Sequence, residues 1–401
     1  METRIINTQE GLADAAELLR SGEAVAVPTE TVYGLCVNGL DEAAVQKLYE
    51  IKGRPQIKPL SLMVASPAQM EKYAADLPPA AAVLAEKFWP GPLTIIVGAK
   101  PLVPEITRAG GATVGLRCPD HPMTLRLLEL AGVPLAGPSA NPSGKPSPKT
   151  AEEVLEYFGG VIPAIVDGGR CTLGTESTII DMSRTPYTIL RHGALSVDEI
   201  DDALVGSMKV VGLTGGTGSG KTSVLLYLTE RGALGLDCDE IYHQLLESDA
   251  DMLTALSERF PEAFTGGKLD RKALGRIVFS DSGALEELNA ITHRYVKREI
   301  AGRLREFALN GGRAAVIDAI ALVESGLDKF CTMTVAVTAK KETRVRRIME
   351  REGIGEEYAR SRIEAQKDDR FFVDNCDVLL HNDGTMEEMY EKCRELFGNE
   401  I

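Results

Sequence analysis

The sequence has little tryptophan or histidine, with one Trp and five His in 401 residues. Its seven cysteines (Cys36, Cys118, Cys171, Cys238, Cys331, Cys376 and Cys393) are scattered, with no CxxC and no Cys/His spacing for a metal. That argues for reduced, mostly buried thiols and against structural zinc. No apolar run is long enough to cross a bilayer, and the opening METRIINTQEG lacks a signal-peptide core. A cytoplasmic protein with no membrane partner is the expectation. Basic residues are outnumbered, 44 Lys and Arg against 59 Asp and Glu, for a net charge of −15. Residues 1–207 carry 17 basic against 25 acidic groups and residues 208–401 carry 27 against 34. Neither half has a strong nucleic-acid binder's overall charge, although a local basic cleft remains open. There is no internal repeat, no low-complexity tract and no Ser-His-Asp order.

What is present is a globular composition, 44% hydrophobic, in a chain too long for one ordinary core. Two domains are expected, 1–205 and 208–401, joined by a short linker. The most informative stretch is residues 212–222, GLTGGTGSGKT. Within it Gly215, Gly216, Thr217, Gly218, Ser219, Gly220, Lys221 and Thr222 fit G-x-x-x-x-G-K-[ST], the phosphate-loop pattern. A strand precedes the loop and a helix follows it. The glycines let backbone N–H groups converge, and the helix N-terminus adds positive potential there. Lys221 is expected to reach the outer phosphates of ATP, and Thr222 to hold Mg2+ through its hydroxyl. A dinucleotide fold does not need the Lys-Thr pair.

Further along, residues 233–241 read as a strand ending in Asp237 and Asp239, which alternation would place on one side. A carboxylate there lies near the phosphate loop, where it can take the proton of an acceptor hydroxyl. One of the two acids also fits a helix N-cap. Residues 269–274 open a helix with Arg271, and a long helix over 285–309 carries His293. A strand over 314–318 ends in Asp318, a weaker candidate for Mg2+ contact. Residues 340–353 hold Arg344, Arg347 and Arg351 on one helix face. Beside a phosphate loop, that face reads as a movable lid.

In the first half, short strands end in hydroxyls, amides or cations. These are Thr29, Thr31, Lys52, Arg54, Arg117, Ser139, Asn141, Ser177 and Arg191. A pocket built from such groups suits phosphates and carboxylates. The one tryptophan, Trp89, reads as packing.

The segments PTETVYGL, IKGRP, FWPGPLT, VGLRCP, GPSANPSG, GTESTIID and ILRHGA occur in the order of the YrdC family and cover most of residues 5–200. The family signature K-x-R…S-x-N falls on Lys52, Arg54, Ser139 and Asn141. The half therefore resembles L-threonylcarbamoyladenylate synthases. The resemblance implies an open, twisted α/β sheet that joins L-threonine, bicarbonate and ATP into threonylcarbamoyl-AMP. Such a product feeds a tRNA threonylcarbamoyl-transfer machinery. It also implies that Lys52 and Arg54 neutralise the crowded anions. Ser139, Asn141, Ser177 and Arg191 would grip the nucleotide, and Thr29, Thr31 and Tyr33 would face the threonine.

The second half resembles dephospho-CoA kinase over nearly its full length. The pieces that carry this are GLTGGTGSGKT, LDCDEI, LDRKAL, VFSD, His293, VIDAIALVESG, RRIMEREG, Gln366 and HNDG. The resemblance implies a P-loop α/β kinase with a parallel sheet and helical lid, transferring the ATP γ-phosphate to the 3′-hydroxyl of dephospho-CoA. Asp239 is then the base, Arg271 and His293 lie near the acceptor, and Arg347 and Arg351 belong to the lid. Two departures stand out: a proline usual after Asp318 is absent, and Arg294 follows His293 where proline is common. The alternative reading is an N-terminal RNA-binding YrdC module fused to another small-molecule P-loop kinase.

Overall fold

The computed structural model describes residues 2–398. The chain divides into two compact units, residues 2–207 with 309–311 and residues 208–308 with 312–398. Among the described residues, no helix is long and apolar enough to cross a membrane.

The first unit has strands β1 (Arg4–Ile6), β2 (Val25–Val27), β3 (Gly34–Asn38), β4 (Ser61–Met63) and β5 (Leu93–Gly98). They are followed by β6 (Thr113–Arg117), β7 (Leu135–Ala136), β8 (Ala164–Val166), β9 (Thr178–Asp181) and β10 (Thr188–Arg191). All ten form one mixed sheet in the order β1-β8-β2-β3-β7-β4-β6-β5-β9-β10. The short runs VAV and AIV are wholly buried and pair in parallel, as strands covered on both faces do. Helix Gly11–Arg20 buries Leu12, Ala15, Ala16 and Leu19, whose spacing makes one stripe. That stripe joins Leu127, Leu128 and Ala131 of helix Pro122–Ala131 and Val25, Val27 and Val166 of the sheet. Each fully buried Leu or Val contributes roughly 1.5–3 kcal/mol.

One helix end positions chemistry in this unit. Helix Glu42–Lys52 starts on Asp41, whose carboxylate accepts from the amides of Ala43 and Ala44. It stops at Gly53, with φ 57°, in the left-handed region that suits glycine. Lys52 thus occupies the last turn, and Arg54 lies in the loop just beyond.

The second unit has strands β11 (Lys209–Thr214), β12 (Leu234–Asp237), β13 (Phe264–Thr265), β14 (Lys268–Leu269), β15 (Ala314–Asp318), β16 (Met333–Thr338) and β17 (Val378–His381). Five of them form an all-parallel sheet, ordered β12-β15-β11-β16-β17, while β13 and β14 pair separately. Val211, Leu213, Val316, Val335 and Val337 pack under Val224, Tyr227 and Leu228 of helix Lys221–Thr229. Register then fixes the site: Asp318 lies opposite Leu213 on one side and Asp237 on the other. Both acids therefore sit at the C-terminal sheet edge beside the phosphate loop, where open α/β sheets bind ligands.

Three boundaries differ from the sequence reading. The helix expected from residue 269 starts at Arg271, after β14 and the Asp270 cap. The strand expected over 233–241 ends at Asp237, and helix Cys238–Ser248 begins at once. The Asp237 carboxylate accepts from the amides of Asp239 (2.9 Å) and Glu240 (3.1 Å), so it is an N-cap. A helical turn, not strand alternation, sets the direction of Asp239. The long helix spans Ser282–Leu309 and starts before residue 285. Asp281 accepts from the amide of Gly283 at 2.8 Å and so holds the earlier start.

Candidate active sites

In the second unit the phosphate loop bridges β11 and helix Lys221–Thr229. Two glycines are required by close approach. A Cβ at Gly215 (φ 134°) would lie 2.2 Å from the Val337 carbonyl oxygen, and one at Gly220 (φ 97°) would lie 1.9 Å from Asn382 Nδ2. Lys221 Nζ donates to the Gly215 carbonyl at 2.9 Å. Among the described residues, the buried Ser219 hydroxyl has no hydrogen-bond partner.

The outside of the loop is held from the lid. Arg347 donates to the carbonyls of Asn382 (2.9 Å) and Ser219 (3.2 Å), and Asn382 Nδ2 donates to Ser219 O at 2.9 Å. Arg344, which is buried, donates through Nε to Thr217 O at 3.0 Å. Gln366 holds the amide and the hydroxyl of Thr217. The lid helices Lys341–Glu352 and Glu356–Glu364 pack on each other through Val345, Ile348, Ala359 and Ile363.

Inside the loop lies a cavity of about 450 Å³ lined by Gly216, Thr217, Gly218, Gly220, Lys221, Thr222, Asp237, Asp239, Asp318, Arg347, Arg351 and Arg362. The structure brings together there the loop, Asp239, Asp318, Arg347 and Arg351, all singled out in the sequence. Arg362 was missed, since its helix carries no pattern that points to the loop. Burial pushes the Asp318 carboxyl up to about 6, helped by the neighbouring charges of Asp237 and Asp239 and opposed by Lys221. Burial also pushes the Lys221 ammonium down, against the pull of Asp318 and Asp239. Crowded carboxylates next to a hydroxyl form a hard-oxygen donor set, and Mg2+ carried on phosphates needs only one or two such groups from protein. Thr222 and Asp318 fit that need.

A second cavity, of about 550 Å³, adjoins the first. Asp239 and Ile320 line both. Arg271, Tyr242 and His293 also face it, and most of its wall is apolar. Arg271 pairs with Glu247 at 3.0 Å. Burial, and then the charge of Lys297, lower the His293 pKa, so its neutral imidazole is favoured.

In the first unit a cavity of about 310 Å³ is lined by Thr29, Thr31, Arg54, Thr94, Arg117, Ser139, Glu176, Ser177 and Arg191, with further backbone and apolar neighbours. Arg117 donates to Glu30 at 2.7 Å and to the Thr31 hydroxyl at 2.9 Å. Arg191 pairs with Glu176 and donates to Ser177 Oγ at 2.9 Å. Ser177 Oγ also meets the Thr94 hydroxyl at 2.9 Å. Arg54 donates to the Pro59 carbonyl at 3.1 Å. Three guanidinium groups thus surround one polar space, two of them aimed by carboxylates. Glu30, Thr94 and Glu176 were missed as orienting partners because their contacts are distant in sequence.

Three residues expected in this cavity brace it instead. The buried Lys52 ammonium donates to the carbonyls of Ser139 and Asn141, because the end of its helix points at that turn. Burial and the neighbouring Arg54 push its pKa down to about 7, against the pull of Glu176. The Asn141 amide donates to the carbonyls of Lys145 (2.5 Å) and Pro142 (3.2 Å), closing the turn on itself. The Tyr33 phenol, expected to face threonine, donates to the Gly169 carbonyl at 2.7 Å and accepts from the Gly168 amide at 3.3 Å. Its ring is wholly buried.

Residues 17–193 match the Sua5/YciO/YrdC family model, described as telomere recombination, and residues 209–388 match the dephospho-CoA kinase model. The threonylcarbamoyl-AMP synthase of Pyrococcus abyssi is 45% identical over 213 residues, which are 52% of this chain and 62% of that protein. That of Bacillus subtilis is 46% identical over 201 residues, 50% of this chain and 58% of that protein. The chain thus spans about three fifths of the length of these synthases. A dephospho-CoA kinase of Corynebacterium glutamicum is 38% identical over 184 residues, 45% of this chain and 94% of that protein. The crystal structure of Pyrococcus abyssi Sua5 complexed with L-threonine is similar at a TM-score of 0.50 and 29% identity, covering 82% of this chain and 97% of that one. The chain belongs to the dephospho-CoA kinase family through its second half, which follows an N-terminal Sua5/YciO/YrdC domain.

Proposed function

We propose that the protein is a bifunctional transferase. Residues 1–205 form threonylcarbamoyl-AMP from L-threonine, bicarbonate and ATP, and residues 208–401 phosphorylate the 3′-hydroxyl of dephospho-CoA. For the second activity the carrying observation is the shared wall: Asp239 faces both the phosphate-loop cavity and the apolar cavity. A hydroxyl held there attacks the γ-phosphorus, Asp239 takes its proton, and ADP leaves. Lys221, Arg347, Arg351 and the loop amides hold the phosphates in line. Arg271 and His293 bind the acceptor. Thr222 and Asp318 would hold Mg2+, which would neutralise phosphate charge there.

For the first activity the support is the cavity ringed by Arg54, Arg117 and Arg191. The threonine amine and bicarbonate give a carbamate with loss of water. A carbamate oxygen then attacks the α-phosphorus and pyrophosphate leaves. Each species is anionic, so three fixed guanidinium groups act by charge and positioning, with no covalent intermediate. Thr29, Thr31, Ser139 and Ser177 supply neutral hydrogen bonds. Lys52, Asn141 and Tyr33 keep the surrounding turns in place. The product would pass to a tRNA threonylcarbamoyl-transfer machinery. Seven free thiols suit a reducing cytoplasm.

The test offers the purified protein ATP and Mg2+ in two assays. One contains threonine and bicarbonate and reads threonine-dependent pyrophosphate. The other contains dephospho-CoA and reads ADP and CoA. Loss of threonine dependence, combined with tRNA retention, would favour an RNA-binding module instead.

A further inference from the structure

We propose that the apolar mouth of the acceptor cavity, with Phe279 as its closing side chain, selects the acceptor by its long uncharged arm rather than by its nucleotide. The inference rests on the reading of this half as a dephospho-CoA kinase and adds how the substrate is recognised. The cavity is two-sided. Asp239, Arg271 and His293 supply polar groups, while Val278, Phe279 and Leu285 supply an apolar wall. A nucleotide that presents its ribose hydroxyl to Asp239 meets the polar groups. The apolar wall offers that nucleotide's phosphates and hydroxyls no side-chain hydrogen bond.

The exposure of that wall points the same way. Phe279 is 88% exposed, Ile320 46% and Leu285 37%. Single exposed apolar side chains are ordinary. These three come from separate segments, namely helix Arg271–Ser280, the stretch after β15 and helix Ser282–Leu309, and they line one cavity. The Phe279 ring lies over Gly275, one turn back, with ring carbons 3.8 and 3.9 Å from where a Cβ would sit. A Cβ there would make ordinary van der Waals contact, so the ring's place does not depend on Gly275. An uncharged chain of methylene, methyl and amide groups extending from the nucleotide diphosphate would cover this wall, removing Phe279 from water.

The experiment compares dephospho-CoA with AMP, which has the same ribose 3′-hydroxyl but no arm, as acceptors for the full-length protein. Phe279→Ala is expected to lower kcat/KM for dephospho-CoA by ~10-fold or more, chiefly through KM, and for AMP by ~2-fold or less. Phe279→Leu should recover much of the loss. Leu285→Ser, on the facing helix, should act in the same direction, and its exposed position spares the fold. Equal losses with both acceptors, or no loss with dephospho-CoA, would overturn arm selection and leave the kinase reading standing. No turnover of dephospho-CoA by the unsubstituted protein would overturn both.

Discussion

Gln366 holds Thr217 of the phosphate loop from both sides. Its Nε2 donates to the threonine hydroxyl at 2.7 Å, and its Oε1 accepts from the threonine amide at 3.0 Å. Arg344 closes the set by donating to the same Oε1 and to the Thr217 carbonyl. The loop is thereby shaped by residues of the lid region. Gln366→Leu removes both hydrogen bonds to Thr217, of about 1 kcal/mol each, and the one accepted from Arg344. The KM for ATP in the kinase assay should rise roughly 10-fold. The synthase reaction should not change. Steady-state kinetics with varied ATP in both assays check this.

Asp239, the proposed base, lies on the wall between two cavities. Asp239→Asn keeps size and burial but removes the proton acceptor. The kinase kcat should fall about 10²- to 10⁴-fold, with little change in KM for ATP. A rise in KM alone would assign Asp239 to binding.

Asp318 has its carboxyl raised to about 6 by burial. A carboxyl raised on folding binds its proton more tightly when folded, so stability falls as pH rises from about 4 to about 6 and stays lowered above that. Asp318→Asn removes the penalty. It should stabilise the nucleotide-free kinase unit at pH 7.5 by on the order of 2 kcal/mol, with no gain near pH 3.5. Kinase activity should fall, as when a strained functional group is relaxed. Calorimetry at the two pH values, with the kinase transition identified by its shift with ATP, provides the measurement.

Glu30 and Arg117 form a buried pair at 2.7 Å beside the cavity of the first unit, with side-chain exposures of 6% and 9%. Arg117→Met leaves the Glu30 carboxylate without its cation and should cost 3–5 kcal/mol, on the order usual for a broken buried pair. The double substitution Glu30→Gln with Arg117→Met should regain part of that stability but not the activity. Denaturant unfolding and pyrophosphate release separate the two effects.

The loop from Gly215 to Thr222 was legible because its chemistry is local: glycines, a lysine and a hydroxyl within one turn between strand and helix. Asp318 and Asp237 were legible as strand ends, and parallel pairing brings strand ends together. Gln366 could be named from resemblance, but its partner lies 149 residues away, and no spacing reveals that contact. Lys52 and Tyr33 show the converse limit. Sequence singles them out by resemblance and residue type, yet the turns at 139–141 and 168–169 decide where their polar atoms go. Asp239 lines both cavities of the second unit although the strand argument for its direction failed, because the Asp237 cap starts the helix early.

The most direct test of two separate active sites is Lys221→Ala assayed for both reactions in the same preparation. Lys221 lies in the kinase cavity and contacts the Gly215 carbonyl of its own loop. Phosphorylation of dephospho-CoA should vanish, while threonine-dependent pyrophosphate release should continue at the rate of the unsubstituted protein. Loss of both reactions in a folded protein, or retention of both, would contradict the account.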